Sequence, residues 1–503
     1  MQAKRASWLL LGLCLAWVVA WLKFTWPYWE DDAFIHLAYA SNVDQGLGFM
    51  FNGQTSNGDT SPLWVLLLAA GLKSGAPTML AGKLLTVVCA ACSLAAVWRY
   101  TQRTANDLGM GREGTSAWPL ALFVVSPYFC YWAFSGMESV AAVGWLLLTA
   151  MALTPRSPSP RTLLAAAACL GLGPLLRPEL MLMFIAGAPF LLAQGLAISS
   201  QGSASQRGWV RGLTLIGLAL PLVLWSAYAL QTFGHVMPNT NAAKQAPPGT
   251  WVSARLLQVM VLGFPGAFLL LGGAAVTVFS SSLPRAAAQG AAKVDARCWM
   301  GMPFTVLPVL SWALLTALFY VLNHTHVQTR YVLVMVPGLL VWLWLLAERG
   351  LRPALALSLG LASVLLAAVA SVALTLPHMR NKIELLDSTN RMAAYIEAQV
   401  PRDAPIAIYA IGQFGYLLHH HELVDVGGIT RPSASKFLYD EKARVAWART
   451  ESARYFIWGE APEPGAVLVQ EFNARTVGWH MNPAAYAAAA PLRLWRLPTS
   501  TQP

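Results

Sequence analysis

The sequence predicts a polytopic α-helical membrane protein of about eleven spans, followed by a C-terminal α/β domain outside the cytoplasm. Three observations predict it. The 503 residues are 56% hydrophobic and only 11% charged, a balance outside that of soluble globules. Apolar runs of roughly 14 to 24 residues recur along the first three-quarters of the chain, most of them long enough to cross a hydrocarbon core as helices. Basic clusters alternate with connections poor in Lys and Arg, which orients the spans. The net charge of +11 falls in those short clusters and not along one soluble face, so it reads as topology and predicts no nucleic-acid partner.

At the N-terminus Lys4 and Arg5 precede the apolar stretch Trp8 to Trp21, the form of a secretory signal. Trp21, Lys23 and Trp26 stand where small cleavage-site residues belong, so an uncleaved signal anchor is expected. Spans are expected near Leu15, Val88, Val124, Leu146, Leu170, Ile185, Leu218, Leu269, Leu315, Leu340 and Leu365. The run from Pro62 to Leu72 is too short to cross comfortably and reads as interfacial. Clusters at Lys4/Arg5, Arg99/Arg103/Arg112, Arg156/Arg161, Arg207/Arg211, Arg285/Lys293/Arg297 and Arg349/Arg352 are then cytoplasmic. The outer segments become Trp26 to Ser61, Tyr128 to Ser139, Arg177 to Glu179, Thr232 to Val252 and Asn323 to Arg330. An odd number of spans also places everything after Pro377 outside. The chain divides into a membrane module, 1–376, with its first outer loop at 27–61, and an outer domain, 377–503.

Helical spacing over Ile383 to Val400 opens that outer domain. Strands are expected at Ile406 to Ile411, Leu423 to Val426, Tyr455 to Trp458, Ala466 to Glu471 and Leu492 to Leu497, with a turn at Gly412-Gln413-Phe414-Gly415 and a helix over Ser433 to Arg449. Five of the six cysteines lie in or beside apolar runs and none lies in the outer domain, so no disulfide framework is implied. Cys89-Ala-Ala-Cys92 reads as two small core residues in an apolar helix.

Acids are scarce, which makes Glu30-Asp31-Asp32 informative. Charge this close to lipid is costly and usually functional. Only eight other carboxylates precede Pro377. Asp107, Glu113, Asp295 and Glu348 accompany basic clusters, whereas Asp44, Asp59, Glu138 and Glu179 recur on the side of the triplet. The residues after the triplet have helical spacing, so an interfacial amphipathic helix would carry Asp31 or Asp32 at its N-terminal end, where the dipole favours the ionised form. Such an acid can take a proton from a hydroxyl or hold a metal ion. Capping alone needs one acid, not three. Either aspartate fits the role.

With Glu30-Asp31-Asp32-Ala33-Phe34-Ile35 and Gly58-Asp59-Thr60-Ser61-Pro62-Leu63-Trp64, the chain resembles the polyprenyl-phosphate-sugar-dependent GT-C glycosyltransferases, in particular the branch with bacterial arabinofuranosyltransferases. The series continues through Ser135-Gly136-Met137-Glu138-Ser139, Arg177-Pro178-Glu179, Pro238-Asn239-Thr240 with Lys244, and Arg330-Tyr331. It ends in Gly412-Gln413-Phe414-Gly415-Tyr416 and Val424-Asp425-Val426-Gly427-Gly428. The resemblance implies a transferase of the bacterial inner membrane with a cytoplasmic N-terminus and a periplasmic C-terminal domain. Asp31 or Asp32 would be catalytic, the donor a sugar on a polyprenyl phosphate drawn from the membrane lipids, and the acceptor an extracytoplasmic glycan or protein. Residue chemistry points the same way. Arg177, Lys244 and Arg330 are among the few outer cations available to a lipid phosphate. Glu30, Asp59, Glu138, Glu179, Asn239, His235 and Gln328 suit sugar hydroxyls. No nucleotide cofactor is implied, and no P-loop or Rossmann glycine fingerprint is present; a divalent metal on the acids remains an alternative.

Each assignment has a plainer counterpart. Arg177 and Glu179 can be a local ion pair, while Lys244 and Lys83 can be snorkelling lysines. His324 and His326 lack a third clear metal ligand, and His419-His420-His421 reads as a solvated turn. Tyr409, Tyr416, Trp447, Tyr455 and Trp458 are scattered and form no evident carbohydrate-binding cluster, which leaves the acceptor open. A flippase of lipid-linked sugars would place ionisable groups near mid-membrane and use paired broken helices. A non-catalytic assembly subunit would tolerate loss of both aspartates, and an oligosaccharide ligase would favour a large basic outer loop.

Overall fold

The computed structural model describes residues 2–110, 117–199, 204–240, 244–280, 298–299, 302–472 and 491–498. Helix α1 (Gln2–Thr25) leads into α2 (Asp31–Asp44), a short hairpin β1 (Met50–Phe51) and β2 (Gln54–Thr55), and α3 (Pro62–Leu72). The hairpin turns on Asn52 and Gly53, both left-handed (φ 51° and 71°), as its two-residue loop requires. Then follow α4 (Thr78–Asp107), α5 (Trp118–Val124), α6 (Pro127–Trp132), α7 (Ser139–Leu153), α8 (Pro160–Leu176), α9 (Leu182–Ser199) and α10 (Ala204–Phe233). After these come α11 (Val252–Gly263), α12 (Pro265–Ser280), a hairpin of β3 (Cys298–Trp299) and β4 (Met302–Pro303), and α13 (Leu307–Leu322). Helices α14 (Thr329–Met335), α15 (Pro337–Gly350), α16 (Pro353–Ala370) and α17 (Leu376–Gln399) complete the helical part.

Among the described residues, five helical stretches are long and apolar enough to cross a membrane, or seven if each of two bent pairs is one span. The bends are 96° between α11 and α12 and 46° between α14 and α15. Pro265 and Pro337 open the second helix of each pair, and a proline there interrupts the ladder of the preceding turn. A helix lies at each expected span centre, but the run around Val124 is two short helices. Ser126 caps the second of them, accepting from the Phe129 amide, and Pro127 follows at its first position. Outward faces carry large apolar side chains, such as Leu192 and Leu196 on α9, the surface expected to meet lipid.

Helix α2 departs from the expected amphipathic interfacial helix. Phe34, Ile35, His36, Leu37 and Tyr39 are all buried, because α2 packs between α3 and a later helix, α18 (Ile411–Leu417). That later helix replaces the expected Gly412-Gln413-Phe414-Gly415 turn. The C-terminal strands β5 (Ile406–Ile408), β6 (Leu423–Asp425), β7 (Tyr455–Ile457), β8 (Val467–Phe472) and β9 (Leu492–Arg496) form one mixed sheet in the order β6-β5-β7-β9-β8. Strands β6, β5 and β7 run parallel, while β9 is antiparallel to both β7 and β8. The expected helix over Ser433 to Arg449 is divided into a 3-10 turn, Pro432–Phe437, and α19 (Glu441–Thr450), whose amide at Ala443 is capped by Asp440. Of the scattered aromatics, Tyr409, Trp447 and Trp458 meet Phe456 and Trp495 in a second core, whereas Tyr416 and Tyr455 pack against the main one.

Candidate active site

A cavity of about 420 Å³ opens where residues 29–60, helices α6, α14 and α17, the end of α8, and the C-terminal sheet region meet. Its placement follows from close packing around α2. Gly136 has a left-handed φ of 88°, and a Cβ there would lie 2.5 Å from the Trp29 ring; only glycine lets this loop pass beneath α2. Lys83, expected to snorkel, is buried. Its ammonium donates to the carbonyls of Thr25 (3.4 Å), Tyr28 and Phe134 (2.5 Å) and sits 4.7 Å from the Trp29 ring centroid. It ties the segment before the acid triplet to the segment before Glu138.

The three acids of the triplet take three different partners. Glu30 accepts from Tyr28, from Tyr131 (2.8 Å) and from Lys382 (3.2 Å). Burial pushes its carboxyl up, but Lys382 and the two phenols outweigh that and hold it below its ordinary value. Asp31 accepts from the backbone amides of Gly412 (3.1 Å) and Gln413 (2.9 Å). Burial dominates over these amides, with the Asp32 charge adding to it, and raises Asp31 to about 6. Asp32 pairs with Arg330 at 2.7 Å and keeps 38% of its side chain exposed, against 14% for Glu30. Burial raises it too, yet Arg330 prevails and lowers it.

Beneath Asp32 runs a line of alternating charge. His36, one turn after Asp32 on α2, places Nδ1 2.5 Å from Asp59 Oδ2 and Nε2 3.3 Å from Glu138 Oε2, the latter an ion contact without hydrogen-bond alignment. Burial disfavours the imidazolium, but Asp59 and Glu138 raise it to about 10. Arg177 donates to Glu138 at 2.5 Å and makes a two-pronged contact with Glu179 at 3.1 and 3.2 Å. Tyr320 donates to the same Glu179 carboxylate at 3.1 Å. Both the local ion pair and a place in the cavity wall therefore hold for Arg177, which is 4% exposed.

The cavity gathers Glu30, Asp31, Asp32, Asp59, Glu138, Arg177, Glu179, Lys244, Gln328 and Arg330. Asn239 and His235 are not in its lining. The Asn239 backbone N–H donates to the Asn57 carbonyl at 2.9 Å and its side-chain amide to the Ile429 carbonyl at 3.4 Å, and His235 Nδ1 meets the Met237 carbonyl at 2.8 Å. His36 and Lys382 were missed in the sequence. The i, i+4 step from Asp32 could have found His36, but the Glu30–Lys382 pair joins residues 352 apart and left no local signal. Lys244 is the lining Lys or Arg without an ion pair among the described residues, and its charge acts on Asp32 and Glu179.

A divalent metal does not fit this arrangement. Asp31 turns both oxygens to amides, Glu30 is taken by Lys382, and no group of three His, Cys, Asp or Glu is arranged to hold an ion among the described residues. His324 instead directs Nε2 toward the Pro247 carbonyl at 3.3 Å.

No family model and no curated protein matches the sequence. The fold does match solved structures. ArnT from Cupriavidus metallidurans bound to undecaprenyl phosphate superposes with a TM-score of 0.56 at 12% identity, covering 98% of both chains. The chain has the GT-C fold. Weaker likenesses with that fold are the oligosaccharyltransferase AglB from Archaeoglobus fulgidus (TM-score 0.48, 13% identity, 90% of this chain and 69% of that one) and the arabinofuranosyltransferase AftD from Mycobacteria (0.49, 13%, 98% and 40%). In this GT-C fold the cavity lies directly under the α2–α18 contact.

Proposed function

We propose that the protein is an integral membrane glycosyltransferase that moves a sugar from a polyprenyl-phosphate donor to an acceptor outside the cytoplasm. One observation carries the reading: the cavity holds a partly open carboxylate, Asp32, together with Lys244, a cation with no carboxylate partner among the described residues. That pairing suits a hydroxyl acceptor beside a lipid phosphate, and the ArnT structure of the same fold holds undecaprenyl phosphate.

In this reading the acceptor hydroxyl oxygen bonds to the anomeric carbon and its proton passes to Asp32. The bond from that carbon to the phosphate oxygen breaks, and the polyprenyl phosphate leaves with the electron pair. Lys244 and Arg330 stabilise the charge it gains. Arg177 holds Glu138 and Glu179 in place, and those acids with Asp59 and Gln328 position sugar hydroxyls. Asp31 fastens α2 to α18. The eleven helical positions are the spans, and residues 377–503 form the outer domain on the periplasmic side.

The test is sugar transfer by the full chain in lipid, supplied with a panel of polyprenyl-phosphate sugars. Asp32→Asn is expected to lower kcat by roughly 10²–10⁴, Lys244→Met to raise the donor KM, and Asp31→Asn to leave most of kcat. Loss of turnover in Asp31→Asn alone would reverse the two aspartates. Full turnover in both variants would remove the base from the scheme.

A further inference from the structure

The upper wall of the cavity differs in chemistry from its floor. Every described lining residue after position 405 is uncharged, including Tyr409, Gln413, Phe414, Ile429, Leu438 and Tyr439, whereas the floor is a lattice of ion pairs. Two phenols stand out on this wall. Tyr409, just after β5, packs edge-on to Trp458 with centroids 6.1 Å apart. Arg444 lies 5.4 Å from the Tyr409 centroid and 4.6 Å from that of Trp458. The Tyr409 ring is thus fixed from behind, while its hydroxyl has no hydrogen-bond partner among the described residues. Burial raises its phenol above the ordinary value against the pull of Arg444. Tyr439 is 45% exposed and anchored by a 2.6 Å hydrogen bond to the Gln245 carbonyl. Both phenols therefore line the cavity that holds Asp32.

We propose that Tyr409 and Tyr439 form the acceptor subsite, and that the acceptor end they take is an uncharged sugar. The inference rests on the transferase reading for the direction of transfer. A sugar ring presents a C–H face to an aromatic ring and hydroxyls to a phenol, and rings already fixed lose little entropy on contact. A charged acceptor would leave water for a wall whose lining side chains carry no charge, with Arg444 held behind the Tyr409 and Trp458 rings.

The experiment is saturation-transfer NMR on the full chain in nanodiscs with undecaprenyl phosphate. The probes are methyl β-D-glucopyranoside, methyl β-D-galactopyranoside, methyl β-D-galactofuranoside and the capped tripeptide Ala-Ser-Thr, compared in wild type, Tyr409→Phe and Tyr439→Ala. At least one glycoside is expected to receive saturation on its ring protons, with the signal falling about fivefold in each variant while undecaprenyl phosphate binding is unchanged. Preference for the tripeptide, absence of any glycoside signal, or a glycoside signal indifferent to both substitutions overturns the subsite. Glycoside binding that follows the two tyrosines supports it even if no donor is ever turned over, in which case the transferase reading alone fails.

Discussion

At the scale of single residues, the cavity floor depends on buried charges that are costly to leave unpaired. Arg177 neutralises Glu138 and Glu179 together, so Arg177→Met strands Glu179 and leaves Glu138 with His36 alone, and is expected to cost about 3–5 kcal/mol in thermal unfolding. Adding Glu138→Gln and Glu179→Gln to that variant should return most of the stability and none of the turnover, which separates folding from chemistry. His36 gives a pH signature. Its imidazolium is raised from 6.5 to about 10 in the folded protein, so its stabilising contribution is complete below about pH 6.5 and is lost as pH rises through about 10. Melting followed from pH 6 to 10 should show an alkaline decline in wild type that is shallower in His36→Gln. An identical decline in the two would remove the imidazolium from the account.

At the scale of elements, the segments around the cavity are held by side chains reaching across the fold more than by local propensity. Lys83 on α4 bonds three carbonyls from two separate connections. Thr25 keeps its bond from the Tyr28 amide at 3.0 Å, but Lys83→Met leaves the Tyr28 and Phe134 carbonyls short of a donor, with an expected loss of about 2 kcal/mol or more and faster proteolysis within residues 26–61. Unchanged proteolysis would mean the carbonyls find other partners. Periodicity made β5, β6, β7, β8 and β9 legible within a few residues, because their apolar spacing is intrinsic, whereas α17 begins at Leu376, ahead of the expected Ile383, because it continues the helix before it. The nature of Lys83 was not legible, since a lysine one turn into an apolar helix has the same local pattern whether it snorkels or staples. Glycine content suggested a turn at Gly412, but that glycine serves close approach: a Cβ there would lie 2.0 Å from the Asp31 carbonyl oxygen. The acids and cations of the floor were legible from their rarity in an apolar chain. The convergence of Tyr409 and Trp458 was not, because it is made by the sheet.

For the whole molecule, the proposed eleven crossings are open to a direct test of sidedness. Ser157 and Ala461 are both exposed, and an odd number of spans with a cytoplasmic N-terminus puts them on opposite faces. In a background without the native cysteines, Ala461→Cys should react with an impermeant maleimide in intact spheroplasts, and Ser157→Cys only after permeabilisation. Reaction of both from one side would break the proposed topology.

The α2–α18 contact joins Asp31 to amides 381 and 382 residues later, and the cavity wall draws on residues from Trp29 to Leu492. A ribosome still synthesising the helices therefore holds a chain whose acids are present but whose reaction chamber has no roof. Insertion into the bilayer can finish well before the cavity closes, so on the proposed transferase reading an unfinished chain has no means of consuming lipid-linked sugar while it is being made.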